Sequence, residues 1–336
     1  MDGFRRLPTD TLKLLFSNID ISLTVSRIEA LYSNSGRGRP RYPVRSMLLT
    51  LMFMRFEAIP SVRKLCRRLE RRQYAREICE FHGRSTPNHT TFSKFITRAK
   101  PETIEGMFVE FRDQAFSLGI VDSAIVVKVS VDSTFMKAYS RRGRKGGISD
   151  RGARVGKTER RSYGLGWRAH TVASMSAYPI TYIVKAANVN DKELVKPLLK
   201  KASSLLRQYG KNISHTISDS QYYSAEVFKT IRRYEAEPVI PHPSKVKEPL
   251  INLYVTKRFK VKGDKRLVEF YKLKMTVERA FKAAKHELMM ENPKWRGIAK
   301  VRMHAAICYS CIYAVAITAH KIGRPDLANS IATFTY

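Results

Sequence analysis

The chain has 336 residues, with 62 lysines and arginines against 29 aspartates and glutamates, a formal net charge of +33. That length buries a sizeable core and permits two or three domains. The charge argues against an enzyme of small neutral metabolites and makes a polyanion the expected partner. Four cysteines make no disulfide framework, the start Met1-Asp2-Gly3-Phe4-Arg5-Arg6 has no apolar signal core, and no uninterrupted apolar run reaches about 18 residues. A cytoplasmic or nucleoid-associated protein is expected, with nucleic acid and not a membrane as its partner.

Residues 1–36 read as a short helical preamble, with Leu12, Leu14, Leu15, Phe16 and Ile19 as its apolar side. The breaker-rich basic stretch Gly36–Pro43 suits an arm on phosphates or a plain linker. From Val44 to about Glu80 the spacing is helical, through Met47, Leu48, Leu51, Met52 and Phe56, then Val62, Leu65, Cys66 and Leu69 behind Pro60-Ser61. Arg67 and Arg68 stand among the arginines that crowd the second of these helices. A further helix opens at Thr86–Phe95, and a linking helix runs from Glu102 to Leu118. Short basic helices of this kind suit a helix-turn-helix-like DNA module and, equally, a generic helical domain with solvated arginines.

Ile125–Asp132 is a β-rich run that delivers Asp132 at its C-terminal end. Residues 137–168 interleave glycines with cations, among them Arg141, Arg142, Arg144, Lys145 and Arg168, and contain little that could form a core. A loop that orders on DNA is expected, the alternative being a solvated excursion. Strands follow at Ala169–Met175 and Ile180–Ala186, an antiparallel pair turning at Ser176–Pro179. Asn190 and Glu193 have capping-box spacing, so Asp191 reads as helix-start chemistry and His170 as a strand histidine. His215–Asp219 is a short strand that ends in a second acid, Asp219, before a helix at Ala225–Tyr234 and a strand at Pro238–Pro241. A second basic insertion, 244–266, forms a small hairpin or a solvated loop. Cys308 and Cys311 form a C-x2-C pair inside the apolar helix Ile298–His320 and read as buried thiols, not as zinc ligands. Residues 323–336 read as a loose tail.

The stretch Tyr271-x2-Lys274-x3-Glu278-x6-Lys285 is the most informative. At about 100° per residue its four positions fall near 0°, 300°, 340° and 320° on a helix, one face with an acid between cations. Leu273, Val277, Phe281, Ala284 and Leu288 fall at about 200° to 280° and predict an adjacent face packed on a sheet.

This stretch resembles the Tyr-x2-Arg-x3-Glu-x6-Lys signature of the insertion-sequence DDE transposases, with Lys274 where that group usually has arginine. Val277-Glu278-Arg279-Ala280-Phe281 resembles the group's catalytic helix, and Val129–Thr134 and Ser218–Tyr223 resemble its two aspartate motifs. The resemblance runs from about residue 38 to 320. It implies an α/β ribonuclease-H-like mixed sheet flanked by helices, in a catalytic domain spanning 121–322. An all-α, helix-turn-helix-like DNA-binding region, 1–120, would precede it. In such a fold the first and fourth strands are parallel neighbours, which would bring Asp132 and Asp219 together, with Glu278 completing the trio.

By the same resemblance, Asp132, Asp219 and Glu278 are the catalytic and metal-binding acids, holding two Mg²⁺ ions, or Mn²⁺, about 3.5–4 Å apart. Tyr271, Lys274, Lys285, Arg279, Arg141, Arg142, Arg144, Lys145, Arg67 and Arg68 are the DNA-binding set. The implied reaction is metal-dependent hydrolysis at the element's ends and strand transfer into target DNA, by a homodimer that pairs two ends. A nuclease without strand transfer and a non-catalytic DNA-binding descendant are the alternatives. Lysine at 274 keeps the charge of arginine and loses its bidentate fork.

Overall fold

The computed structural model describes residues 11–32, 40–82, 85–122, 124–140, 147–158, 162–243, 246–256 and 260–334, without the side chains of Thr276, Arg279, Ala280, Ala283 and Ala284. Met1–Ile120 together with Ala283–Tyr336 forms one compact unit, and Val121–Lys282 forms another.

The first unit begins with α1 (Thr11–Asn18), α2 (Ser22–Glu29), α3 (Val44–Phe56), α4 (Val62–Arg71), α5 (Gln73–Ile78), α6 (His89–Ala99) and α7 (Pro101–Ser117). All of α3 except Arg45 is buried, as expected of a helix that is apolar all round. By contrast, α4 is strongly amphipathic: Leu65, Cys66 and Leu69 are buried and the arginines face out. Its start is capped by Ser61 Oγ, which accepts from the Lys64 amide at 3.4 Å. The α7 helix starts on Pro101 and ends at Gly119, whose φ of +69° makes the left-handed turn that closes the helix. On its flank, Glu110 accepts the Leu23 and Thr24 amides, both at 3.0 Å, and so binds α2.

The second unit is built on β1 (Val126–Lys137), β2 (Arg154–Lys157), β3 (Tyr163–Ser174), β4 (Pro179–Ala186), β5 (Asn212–Ile217) and β6 (Glu237–Val239). Helices α8 (Val195–Gln208) and α9 (Ala225–Arg232) lie between these strands in sequence. The sheet runs β2-β3-β1-β5-β6. On the far edge of β3, β2 pairs with its first residues and β4 with the remainder. The β1–β3 and β3–β4 pairs are antiparallel, whereas β1–β5 and β5–β6 are parallel. This is the ribonuclease-H-like arrangement. A hairpin of β7 (Leu253–Val255) and β8 (Val261–Gly263) follows, then α10 (Lys265–Glu287). Leu267 of α10 joins Ile217, Val239 and Leu253 in one apolar cluster, with Phe270 and Tyr271 packed against it.

Segment 137–168, expected as a loop, carries β2 and the start of β3. Its glycines permit close strand approach: a Cβ at Gly156 would fall on the Ala187 backbone, and one at Gly166 on Phe135 and the Met136 carbonyl. Buried Trp167 donates its indole N–H to Asp150 at 3.3 Å. The second insertion, 244–266, takes its hairpin form at β7–β8, and Lys265 and Arg266 already belong to α10.

The catalytic domain is expected to extend to residue 322; the compact unit that holds the sheet is Val121–Lys282. Helix α11 (Ile298–Lys321) packs instead with α7, α3 and α1. It is long and apolar enough to cross a bilayer, yet 94% of its apolar window is buried. The expected tail beyond residue 322 is likewise packed, with Ile331 and Phe334 buried. All four cysteines are free and buried, and burial pushes the Cys308 thiol up to about 12.

Within α11, His304 is fully buried; its Nδ1 lies 3.1 Å from Arg55 Nη1 and its Nε2 lies 3.1 Å from the Met290 carbonyl. Burial, then the Arg55 charge, lowers its pKa from 6.5 to about 3. The folded state therefore holds histidine neutral where the unfolded chain protonates it, so stability is lost as pH falls below 6.5. Between pH 7 and 5.5 this group is expected to cost about 1 kcal/mol. Urea unfolding of wild type and His304→Gln at both pH values checks this: the wild type should lose more.

Candidate active site

Asp132 and Asp219 owe their placement to the parallel pairing of β1 and β5. That ladder ends with Ser130 opposite Ile217, and each aspartate lies two residues further on. Asp132 is not at a strand end, as its motif suggested. It sits inside β1, because β3 continues the antiparallel pairing from Asp132–Thr171 to Lys137–Gly166 after β5 has stopped. One edge of β1 is thereby open beside Asp219. Each carboxylate is fixed by the local backbone, the Ser133 amide donating to Asp132 Oδ1 at 2.8 Å and the Gln221 amide to Asp219 Oδ1 at 2.8 Å.

Helix α10 supplies Glu278 and, one turn earlier, Lys274. The Lys274 Nζ forms an ion pair with Glu278 Oε1 and lies 3.9 Å from Asp132 Oδ2. Lys274 is only 3% exposed, whereas the side chains of Asp132 and Glu278 are 37% and 50% exposed. The buried residues of α10 in this unit, Leu267, Lys274, Val277 and Phe281, span about 240° to 320° of the helix. The buried face is therefore rotated from the expected one. Leu273 is exposed, and Lys274 takes its place inside because two acids there neutralise it.

The titration shifts record the crowding. Burial first, then the Asp132 charge, raises the Asp219 carboxyl above its ordinary range, with Lys274 opposing. Burial alone would lower Lys274, but Asp132 and Glu278 hold its ammonium above the usual lysine range. Burial pushes the Tyr271 hydroxyl up to about 12, with Asp219, Glu278 and Asp132 adding to the effect. Asp132, Asp219, Glu278, Lys274 and Tyr271 thus share one electrostatic neighbourhood. Among the described residues, no three histidine, cysteine or acidic side chains form a ready-made metal cage.

Beneath this group lies a second network. Asp191 pairs with Arg168 Nη1 and His170 Nδ1, both at 3.1 Å, and Arg168 also donates to Ser133 Oγ at 3.1 Å. Burial would raise the Asp191 carboxyl, but His170 and Arg168 hold it below the ordinary range. The expected capping role falls to Asn190 alone, whose Oδ1 accepts the Lys192 amide at 3.1 Å. Ser133 and His170 are opposite each other in the β1–β3 register and alternate with Asp132 and Thr171, so the network lies on the other face of β1 from Asp132. A legible signal existed in the two-residue spacing of Arg168 and His170, which puts both on one face of β3. Asp191→Ala removes the acceptor that Arg168 and His170 share, while Arg168 keeps Ser133 Oγ, and is expected to cost about 1 kcal/mol, read as a lower urea midpoint.

The remaining expected residues are elsewhere. Lys285 lies in the last turn of α10, in the helical unit, 3.7 Å from Glu291 Oε1. Arg141, Arg142, Arg144 and Lys145, and the side chain of Arg279, lie outside the described residues. Arg67 and Arg68 line an open groove beside α4 with Lys64, Arg71 and Arg72, and Arg68 reaches Glu57 Oε2 at 2.9 Å.

Fold and site together define a ribonuclease-H-like domain with Asp132 and Glu278 on a buried lysine and Asp219 in the same electrostatic neighbourhood, where its first parallel ladder ends. The chain belongs to the Transposase DDE domain family, which it matches over residues 127–314, and residues 2–98 match a Transposase domain (DUF772). No curated protein matches significantly. Among solved structures, the cryo-EM synaptic complex of piggyBac transposase with hairpin DNA is similar over 96% of this chain and 78% of that one, at 14% identity and a TM-score of 0.52, a likeness of fold. The Mos1 transposase paired-end complex with left transposon end covers 63% of this chain and 64% of that one, at 13% identity and a TM-score of 0.24.

Proposed function

We propose that this transposase family member is an insertion-sequence enzyme of the Tyr-Arg-Glu-Lys group, which binds the ends of its element, hydrolyses a phosphodiester there and transfers the freed strand into target DNA. The observation that carries the reading is the convergence of Asp132, Asp219 and Glu278 on one cation, Lys274.

The donor set suits a hard divalent metal. All three ligand groups are carboxylates, two of them accessible, and the Asp219 carboxyl is raised by burial first and then by the Asp132 charge, a penalty that a divalent cation would relieve. Two Mg²⁺ ions, or Mn²⁺, held by Asp132, Asp219 and Glu278 would supply activation of the attacking oxygen and stabilisation of the leaving one. The backbone amides on Asp132 and Asp219 fix one oxygen of each and leave the other for ligation. Lys274, no longer needed as counter-ion to the acids, then meets a DNA phosphate as a point charge. Tyr271, kept protonated, donates a hydrogen bond to a nucleotide or stacks on it.

The Arg67 and Arg68 groove of α4 serves as a phosphate track in a helix-turn-helix-like module, with Lys285, Arg279, Arg141, Arg142, Arg144 and Lys145 as further contacts. Pairing of two ends calls for a homodimer, and action on genomic DNA for a cytoplasmic, nucleoid-associated location. The test is incubation of the full chain with DNA carrying its gene's own flanks, in Mg²⁺, in Mn²⁺ and in chelator. Metal-dependent cuts at the element boundaries are expected; DNA binding with no cleavage in any metal would overturn the catalytic reading.

A further inference from the structure

A pocket of about 310 Å³ opens in the helical unit between the chain at Pro40 and the outer side of α6. Arg41, Lys94, Arg98, Tyr32, Tyr42 and Phe95 line it, and among the described residues no acidic side chain does. The Arg41 guanidinium lies over the Tyr32 ring at 4.9 Å from the centroid, and that of Arg98 over the same ring at 4.6 Å. Stacking uses the flat face of a guanidinium and spares its N–H edge. Among the described residues, no carboxylate or hydrogen-bond acceptor engages Arg41, Arg98 or Lys94. One tyrosine thus holds two arginines that line the cavity, their donors open among the described residues.

Tyr42, also in the lining, is held by its neighbours. The Tyr42 hydroxyl donates to the Thr86 carbonyl at 3.1 Å and meets Ser85 Oγ at 3.1 Å, and its ring lies edge-on to Phe81 at 6.0 Å. The start of α6 is already capped by Asn88, whose Oδ1 accepts the Thr91 amide at 2.9 Å, so the anion-binding groups of this pocket are its three cations. The volume is at the low end for small-ligand sites, enough for one nucleotide and far too small for a duplex.

We propose that this pocket receives a single unpaired nucleotide of the bound DNA, its phosphate on Arg41, Lys94 and Arg98 and its base against Tyr42. The inference rests on the DNA-binding reading above and adds a structural selectivity: DNA with an extrahelical nucleotide is preferred to fully paired DNA. Aromatic stacking tolerates every base, so the preference is for the unpaired state and not for a sequence.

Fluorescence anisotropy of the full chain tests this with a fully paired duplex and the same duplex carrying one bulged nucleotide, with dAMP as a separate probe. The bulged duplex is expected to bind at least about fivefold more tightly. The exposed-site variants Arg98→Ala and Lys94→Ala should each bring the ratio of the two affinities towards one. Equal affinity in the wild type, or a preference that survives both substitutions, would overturn the inference while leaving DNA binding intact. Binding of dAMP with no preference for the bulge would assign the pocket to a free nucleotide and also overturn it. Failure to bind any DNA would remove the underlying reading and this inference with it.

Discussion

Glu278→Gln is expected to lower metal-dependent cleavage by about 10³-fold or more while leaving DNA affinity within about threefold. Glutamine keeps the size of the side chain and its place on α10, so fold and surface change little. It removes one anionic ligand from a site whose other two acids stand on separate segments, Asp132 inside β1 and Asp219 just after β5. Asp132→Asn should behave alike, because asparagine Oδ1 can still accept the Ser133 amide and only the charge is lost. Paired cleavage and anisotropy assays on one DNA separate the two readouts. A comparable loss of binding and cleavage would mean that Glu278 holds DNA and not metal.

Lys274→Met is expected to destabilise the metal-free protein by about 2–3 kcal/mol at pH 7, with much of the loss recovered in millimolar Mg²⁺. Removing one member of a buried ion pair strands its partners, a cost of about 3–5 kcal/mol when all are desolvated. Asp132 and Glu278 are partly exposed, and water screening reduces the cost. The raised Lys274 pKa gives a sign to check. Its stabilisation is complete below the unfolded value of 10.5 and is lost only as pH rises through the folded value, so it is fully present at neutral pH. Asp219 runs the other way: its carboxyl is raised above 3.8, so ionising it at neutral pH works against folding. A divalent cation held by Asp132, Asp219 and Glu278 would replace the missing ammonium. Thermal melts of wild type and variant in chelator and in Mg²⁺ measure this, and a deficit unchanged by metal would refute the shared-counter-ion account. Lys274→Arg should keep most of the stability, since the charge remains.

Much of this architecture is legible from local pattern. Alternating apolar residues mark β1, β3 and β4, the Pro60-Ser61 and Asn88 starts mark α4 and α6, and the order of strands and helices marks the sheet. Other features depend on partners distant in sequence. Glycine-rich 154–166 reads as a loop until β1 and Ala187 come close enough to require residues without a Cβ. The packing of apolar α11 with α7, α3 and α1 is likewise set by segments far away in the chain. Asp191 reads as a helix-start residue and lies in that first turn, but its pairing with Arg168 and His170 is set by β3.

By itself the sequence determined the element order and the three acid motifs, because helix and strand periodicity and turn chemistry act over a few residues. It also determined the polyanion-binding charge, which is a sum over residues and independent of fold. Only the tertiary structure decided that Lys274 is buried among the acids while Leu273 faces out. A helix presents its stripes by spacing, but which stripe turns inward depends on charges delivered by other strands, and Asp132 and Asp219 are delivered by a ladder between segments far apart in the chain.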